Sequence, residues 1–148
     1  MALPAKIVLK PRKKPRQARS QATVDAIFEA TIQVLLRDGL PRLTTIRVAE
    51  RAGASVGTLY QYYPHKEALL FAVLQRHLAN VEKAITQAAE SHHNMPLATM
   101  ISAVIDALMK VKTGRLEESR ALYAVSTELN SREIVREHEQ RCRSQFLR

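Results

Sequence analysis

The chain has 148 residues, enough for one large or two small domains, and its 46% hydrophobic content is ordinary for a globular protein. The single cysteine, Cys142, excludes an intramolecular disulfide framework, and no apolar run approaches the roughly 18 to 20 residues that a membrane-spanning helix needs. The apolar residues 7–9 are too few for a signal peptide, so we expect a cytoplasmic protein with no membrane partner.

The net charge of +9 is concentrated in the first part of the chain. Residues 1–66 contain twelve Lys and Arg against four Asp and Glu, whereas residues 67–148 contain eleven against ten. Such an uneven charge predicts a surface that binds a polyanion. Residues 1–19 contain seven basic residues, no acidic residue and three prolines, which predicts a disordered basic arm. This arm could follow the DNA backbone or enter a minor groove, or it could be merely solvated.

Apolar residues recur at three- and four-residue steps along the remaining chain, and strand-like alternation is missing, which together predict an all-α fold. The first helix is predicted over residues 20–38, where Gly39 stops it. Thr44 or Thr45 can cap a second, short helix, which Gly53 ends.

Ser55 is a natural cap for a third helix that runs to about Tyr62, because Pro64 excludes the helical conformation for the residue before it. The same periodicity predicts four further helices. They cover about residues 65–90, 97–114, 116–129 and 132 onward.

Two short helices joined by a turn containing glycine predict a helix-turn-helix, whose second helix can enter the major groove of DNA. Ala49 and Ala52 are small enough for close packing, and Gly53 accepts the positive φ of the turn. The second of these helices has Leu59 as its one strongly apolar residue. Its other side chains are small or form hydrogen bonds, which suits contacts with base edges and phosphates.

Residues 44–69, TTIRVAERAGASVGTLYQYYPHKEAL, resemble the TetR family of transcriptional regulators. The family pattern is a threonine pair, an Ile-Ala step, Ala-Gly-Val-Ser, Gly-Thr-Leu-Tyr, an aromatic pair and Lys-Glu-x-Leu. The chain departs from it at Val48 (isoleucine in the pattern), Ala54 (valine) and Tyr63 (phenylalanine). With the preceding helix, the resemblance covers roughly residues 20–70.

The resemblance implies a three-helix DNA-binding domain over residues 20–66 and a helical effector and dimerisation domain over residues 67–148. It implies a sequence-specific repressor that a small-molecule effector releases from its operator, and a homodimer in the full-length form. Family members continue for two or three more helices, and the last helix here reaches Phe146 without a cap. We therefore expect an incomplete second domain and weak dimerisation of this chain.

The resemblance also implies which residues contact DNA. They are Thr44, Thr45, Arg47, Ser55, Val56, Gly57, Thr58, Tyr60, Gln61, Tyr62 and Lys66. Hydroxyl groups at the start of a helix and lysine ammonium groups suit phosphates, whereas a methyl group suits thymine and Gln61 suits adenine. Tyr60 and Tyr62 resemble family tyrosines that contact phosphates. The alternative is that one of these two tyrosines lies in the core. For the next residue, Tyr63, a position in the core is our main interpretation.

Other functions have less support in the sequence. It contains no phosphate-binding glycine loop, nucleophile elbow or credible catalytic triad, so we expect neither an enzyme nor a cofactor. His138 and Cys142 stand four residues apart and could chelate zinc, but without a third ligand a packing role is favoured. A helical interaction module, or a nonspecific nucleic-acid binder that uses the basic arm, is a further alternative. No charged cluster faces the predicted pocket, which favours an apolar or aromatic effector.

Overall fold

The computed structural model describes residue 11, residues 18–129 and residues 132–146. Within these ranges it has seven α-helices, which confirms the all-α fold. They are α1 Ala18–Asp38, α2 Thr45–Ala52, α3 Val56–Tyr62, α4 Lys66–Ser91, α5 Leu97–Gly114, α6 Leu116–Glu128 and α7 Arg132–Phe146. A 3₁₀-helical turn, Leu40–Arg42, connects α1 to α2. The helices form two compact units, unit 1 up to Val73 and unit 2 from Leu74.

Most helix boundaries lie within two residues of those that periodicity predicts. Helix α1 begins at Ala18, two residues before the predicted start, and α4 begins at Lys66. The rest of the predicted basic arm, apart from Pro11, lies outside the described residues, as do the last two residues of the chain. None of the helices that the structure describes is both long enough and apolar enough to cross a bilayer.

Unit 1 is built on the apolar face of α1, which packs on α2. The buried residues of α1 recur at helical spacing and are Val24, Ile27, Phe28, Ala30, Thr31, Val34 and Leu35. Leu43, Val48 and Leu59 are fully buried and bring the connection, α2 and α3 into the same core. The one polar member of the α1 face, Thr31, donates its hydroxyl hydrogen to the carbonyl oxygen of Ile27 at 2.7 Å, so its burial leaves no hydrogen bond unmade.

The turn between α2 and α3 depends on Gly53. Its φ of 68° is left-handed, a conformation that costs glycine little because it has no Cβ. The backbone N–H of Gly53 donates to Glu50 at 3.2 Å, and that of Ala54 donates to Ala49 at 3.0 Å. These bonds satisfy carbonyl groups at the end of α2 and turn the chain directly into α3.

Unit 2 has an apolar core of its own. Val81 and Ile85 of α4 pack with Val104 of α5, and Leu122 and Val125 of α6 are fully buried. Several other apolar side chains of α5 are exposed. They are Leu97, Ile101, Ile105 and Met109.

Unit 2 also buries His77 of α4, whose side chain is only 8% exposed. Burial lowers the pKa of His77 below its ordinary value; Lys112 and His138 lower it further, whereas Glu118 raises it. The unfolded chain binds a proton at this position near pH 6.5, while the folded chain resists it. We therefore expect the free energy of unfolding to fall as the pH drops below about 6.5 towards the lowered pKa.

This expectation is tested by urea denaturation at pH 7.5 and pH 5.5, followed by helical circular dichroism. Replacing His77 with Leu should reduce the loss of stability between the two pH values, because the group that titrates is gone. Replacing the exposed His93 with Leu is the matched control and should leave that loss unchanged. An equal loss in the wild type and in His77→Leu would contradict the assignment.

Candidate nucleic-acid interface

The start of α2 is capped by the first residue of the threonine pair. Thr44 has an extended backbone, and its hydroxyl oxygen accepts the N–H of Arg47 at 3.2 Å. Thr45 is the first residue of the helix and is only 9% exposed. The sequence left the choice of cap open between these two residues, and the structure assigns it to Thr44. The first turn of α2 contains no acidic side chain, so its N–H groups present a positive field to an anion.

Helix α3 begins with the same kind of cap. The hydroxyl oxygen of Ser55 accepts the N–H of Thr58 at 3.0 Å, and it lies 2.8 Å from the hydroxyl oxygen of Thr58. The two hydroxyl groups are therefore held together at the beginning of this helix.

The seven residues of α3 divide into a buried side and an outer side. Leu59 is fully buried and Tyr62 is 5% exposed, so these two anchor the helix in unit 1. On the outer side, Gly57, Tyr60 and Gln61 are exposed, and Val56 and Thr58 are half-buried. The outer side thus presents small, apolar and hydrogen-bonding groups without a bulky aliphatic side chain, which is a surface suited to base edges and phosphates.

One hydrogen bond joins α2 and α3 at this surface. The hydroxyl oxygens of Thr45 and Tyr60 lie 3.1 Å apart, and either group can donate. Tyr60 is 39% exposed, so its hydroxyl is fixed by the protein while the side chain still faces solvent. The start of α2 and the middle of α3 are therefore held in one arrangement.

The structure corrects the expectation for Tyr62, which lies in the core and not on the outer side of α3. Two residues along a helix turn the side chain by about 200°, so Tyr60 and Tyr62 face opposite sides. The Tyr62 ring lies 6.4 Å, centroid to centroid, from the ring of Tyr63, which in turn lies 5.8 Å from Phe28. The alternative that one tyrosine of this pair belongs to the core therefore applies to Tyr62, and Tyr63 is buried as predicted.

Arg47 is exposed, but it already has an anionic partner inside unit 1. Its guanidinium lies 3.3 Å from the carboxylate of Asp38, which Arg37 contacts at 2.9 Å. The hydrogen bond from Arg37, helped by the charge of Arg47, lowers the pKa of Asp38. The ion pair joins the start of α2 to the end of α1 and offsets part of the positive charge of Arg47.

Three features of this surface were not predicted from the sequence. Ile46 is apolar yet 55% exposed beside Thr45. His65 caps α4, because its Nδ1 atom accepts the N–H of Ala68 at 3.2 Å. This cap fixes the helix start at Lys66, the half-buried lysine predicted to meet a phosphate. The signal in the sequence that could have indicated this cap is the position of His65, directly after Pro64 and outside the predicted third helix. The third feature is a hydrogen bond from the guanidinium of Arg51 to the side-chain oxygen of Gln33 in α1, at 2.6 Å.

The zinc alternative gains no support from the described residues, which contain no group of three side chains suited to a metal ion. The sulfur of Cys142 lies 3.7 Å from Nδ1 of His138, while Nε2 of the same ring lies 3.3 Å from a carboxylate oxygen of Glu82. These neighbours approach the ring through different nitrogens. Burial raises the pKa of the Cys142 thiol, which favours the uncharged form that packs in a core.

Comparison with known proteins identifies the region of the helix-turn-helix. The family model for bacterial regulatory proteins of the TetR family matches residues 27–73, which include α1 from Ile27, the helix-turn-helix and the start of α4. An uncharacterized HTH-type transcriptional regulator from Haemophilus influenzae is 36% identical over 72 residues, covering 46% of this chain and 38% of that protein.

Two other relatives have more specific descriptions. The HTH-type transcriptional repressor KstR from Mycolicibacterium smegmatis is 36% identical over 63 residues, which are 43% of this chain and 31% of KstR. The nucleoid occlusion factor SlmA from Pasteurella multocida is 29% identical over 99 residues, which are 66% of this chain and 48% of SlmA. The chain therefore spans between 31% and 48% of the length of these three curated relatives.

A crystal structure of a TetR family transcription regulator from Marinobacter aquaeolei shares the fold. It superposes with a TM-score of 0.68 at 24% identity, and the match covers 86% of this chain and 66% of that one. The matched family model, the relatives and the shared fold agree with the motif at residues 44–69 and with the helix-turn-helix geometry. Residues 27–73 thus match the TetR family of bacterial regulatory proteins, and the chain shares the fold of a TetR family transcription regulator.

Proposed function

We propose that this protein is a sequence-specific DNA-binding transcriptional regulator, acting in the cytoplasm as a repressor at an operator. The observation that carries the proposal is the outer side of α3, where small and hydrogen-bonding side chains stand exposed beside the start of α2. A helix with this surface in the second position of a helix-turn-helix is suited to the major groove. The relatives described as transcriptional repressors support the choice of repressor.

Within this proposal, phosphates are contacted by Thr44, the hydroxyl pair of Thr45 and Tyr60, and Lys66. The start of α2 provides free N–H groups and a positive field, and Lys66 provides a point charge at the start of α4. Arg47 has a smaller share, because Asp38 already holds its guanidinium.

Base edges are read by the outer side of α3. Val56 offers methyl groups to thymine, Thr58 offers a hydroxyl and a methyl, and Gln61 suits adenine. Ser55 positions Thr58 through their 2.8 Å contact, and the small Gly57 lets the helix approach the groove closely. Tyr62 takes no part in this assignment, because its side chain is buried.

Regulation and assembly complete the proposal. We propose that the full-length protein binds its operator as a homodimer, so that two copies of α3 meet half-sites about 34 to 36 Å apart. We also propose that a small-molecule effector bound by unit 2 releases the protein from DNA. The support for both statements is the similarity to the TetR family, together with a second helical unit that has a core of its own.

Selection from random duplexes tests the assignment of roles. Tyr60→Phe and Lys66→Ala should weaken binding to every duplex to a similar degree, because phosphate contacts carry no sequence information. Thr58→Ala should instead change which bases are preferred at one position, with about 1 to 3 kcal/mol less discrimination there. Thr99→Ala, at an exposed threonine of unit 2, is the matched control and should change neither property.

Two results would contradict these roles. A change of preferred site in Tyr60→Phe without a loss of affinity would show that Tyr60 reads bases. A nonspecific binder that uses only its basic arm would show no preferred site at all, and Thr58→Ala would leave its affinity unchanged. The same selection therefore separates the proposed regulator from this alternative.

A further inference from the structure

Unit 2 contains a buried polar patch, which we define as His77 of α4 with Ser119 and Tyr123 of α6. His77 is 8% exposed and Ser119 is 4% exposed. Among the residues that the structure describes, neither Nε2 of His77 nor the hydroxyl oxygen of Ser119 has a hydrogen-bond partner. A third such atom, Nε2 of His138, lies 3.3 Å from a carboxylate oxygen of Glu82. Buried polar atoms are almost always paired in folded proteins, so the two without any such neighbour, in His77 and Ser119, require an explanation.

Two side chains of the patch are in contact, and the third lies one helical turn from one of them. The edge of the His77 ring meets the Tyr123 ring at a centroid distance of 5.9 Å and an interplanar angle of 86°. Ser119 precedes Tyr123 by four residues, so the two occupy neighbouring turns of the same helix face. The ammonium group of Lys112 lies 5.3 Å from the centre of the Tyr123 ring. The patch thus combines two aromatic rings with two unused hydrogen-bonding atoms.

A second serine on the same helix shows what a satisfied hydroxyl looks like here. Ser126, seven residues after Ser119, is 6% exposed and donates its hydroxyl hydrogen to the carbonyl oxygen of Tyr123 at 2.6 Å. The helix can therefore satisfy a buried serine through its own backbone. The hydroxyl of Ser119 makes no such bond in the structure, which leaves it available to a bound molecule.

We infer that the polar patch is the hydrogen-bonding part of an effector site in unit 2, and that its ligand is a small uncharged aromatic molecule carrying a hydroxyl group. This inference rests on the proposed function, whose effector it describes chemically. A hydroxyl both donates and accepts, so it can pair with Nε2 of His77 or with the hydroxyl of Ser119, whichever of the two roles that atom requires. An aromatic ring matches the rings of His77 and Tyr123, and an uncharged ligand avoids the cost of burying a charge.

Calorimetric titration of the full chain with phenol tests the ligand class. Phenol should bind in a single site. Toluene, which replaces the hydroxyl with a methyl group, and cyclohexanol, which removes the aromatic ring, should each bind about tenfold more weakly, the value of one hydrogen bond or one ring contact. Equal binding of phenol and toluene, or no binding of phenol, would overturn the chemical assignment.

Variants then test the position of the site. Ser119→Ala and His77→Phe should each weaken phenol binding about tenfold, whereas the matched control Ser126→Ala should leave it unchanged. The ligand-free proteins provide a second readout. Ser119→Ala should melt no lower than the wild type, because it removes an unpaired buried group, while Ser126→Ala should melt lower because it loses a hydrogen bond. Equal losses of melting temperature in both variants would show that Ser119 has a structural partner and would overturn the inference.

Binding to the selected operator duplex separates this inference from the proposed function. Phenol should weaken operator binding by the wild type but not by Ser119→Ala. If the protein binds no preferred duplex at all, the proposed function fails whatever the phenol titration shows. If the operator is bound but phenol releases neither the wild type nor Ser119→Ala from it, the patch is not the effector site.

Discussion

Raising the salt concentration from 50 to 200 mM should weaken operator binding about 10³-fold, one of the two largest effects that we expect. Residues 1–66 carry a net charge of +8, and basic side chains that bind DNA phosphates displace condensed counterions. If about six phosphates are neutralised, the logarithm of the affinity should fall against the logarithm of the salt concentration with a slope near −5. Fluorescence anisotropy of a labelled duplex measures this slope directly.

Lys66 and Lys83 make a matched pair for this measurement. Lys66→Ala should make the slope shallower by about one, because one phosphate contact is lost. Lys83→Ala removes an exposed lysine of unit 2 and should leave the slope as it is. A wild-type slope near zero would mean that the excess charge of residues 1–66 does not meet DNA.

Leu59→Ala should lower the free energy of unfolding by about 2 to 5 kcal/mol, the usual cost of emptying a buried leucine site. Leu59 is fully buried and, with Tyr62, holds α3 against the rest of unit 1. A stability of this size is a large part of what a small domain has, so the variant should also lose its operator binding. Urea denaturation followed by circular dichroism gives the difference in stability.

Gln61→Ala is the control, because Gln61 lies on the exposed side of the same helix. We expect it to change the stability by less than about 0.5 kcal/mol, as surface substitutions usually do. If Leu59→Ala were no more destabilising than Gln61→Ala, the assignment of inner and outer sides of α3 would be wrong.

The number, order and approximate bounds of the helices could be predicted because they depend on local signals. Gly39 and Gly53 have positive φ where the sequence predicts the ends of α1 and α2, and Ser55 caps α3 as expected. The identity of the α2 cap could not be predicted, because Thr44 and Thr45 have the same hydroxyl. Thr44 has the extended backbone and follows the 3₁₀ turn and Leu43, a stretch that the sequence showed only as a short link.

Contacts between helices could not be predicted from the spacing of apolar residues. The partners in the Thr45–Tyr60 and Asp38–Arg47 pairs stand fifteen and nine residues apart and meet only because unit 1 folds. The burial of Tyr62 could have been predicted, because Tyr62 follows the buried Leu59 by three residues and so lies on the same side of the helix.

The burial of His77 in the polar patch could also have been predicted from the sequence. His77 follows Leu74 by three residues and precedes Val81 by four, so it lies on the buried face of α4. The prediction considered only the apolar members of that face and asked only whether a charged cluster faces the pocket, so it did not include His77.

The bond between Thr45 and Tyr60 also determines what this pair can offer to DNA. Two hydroxyl groups have two hydrogens between them, and the 3.1 Å bond uses one, whichever oxygen provides it. One hydrogen therefore remains. When Thr45 donates, that hydrogen belongs to the exposed Tyr60, where it is available to an outside acceptor such as a phosphate oxygen. Because the Tyr60 side chain is already held, it loses less rotational freedom on binding than a free one, for which ordering costs about 0.5 to 1.5 kcal/mol. Much of that entropy is lost when unit 1 folds, before any duplex arrives.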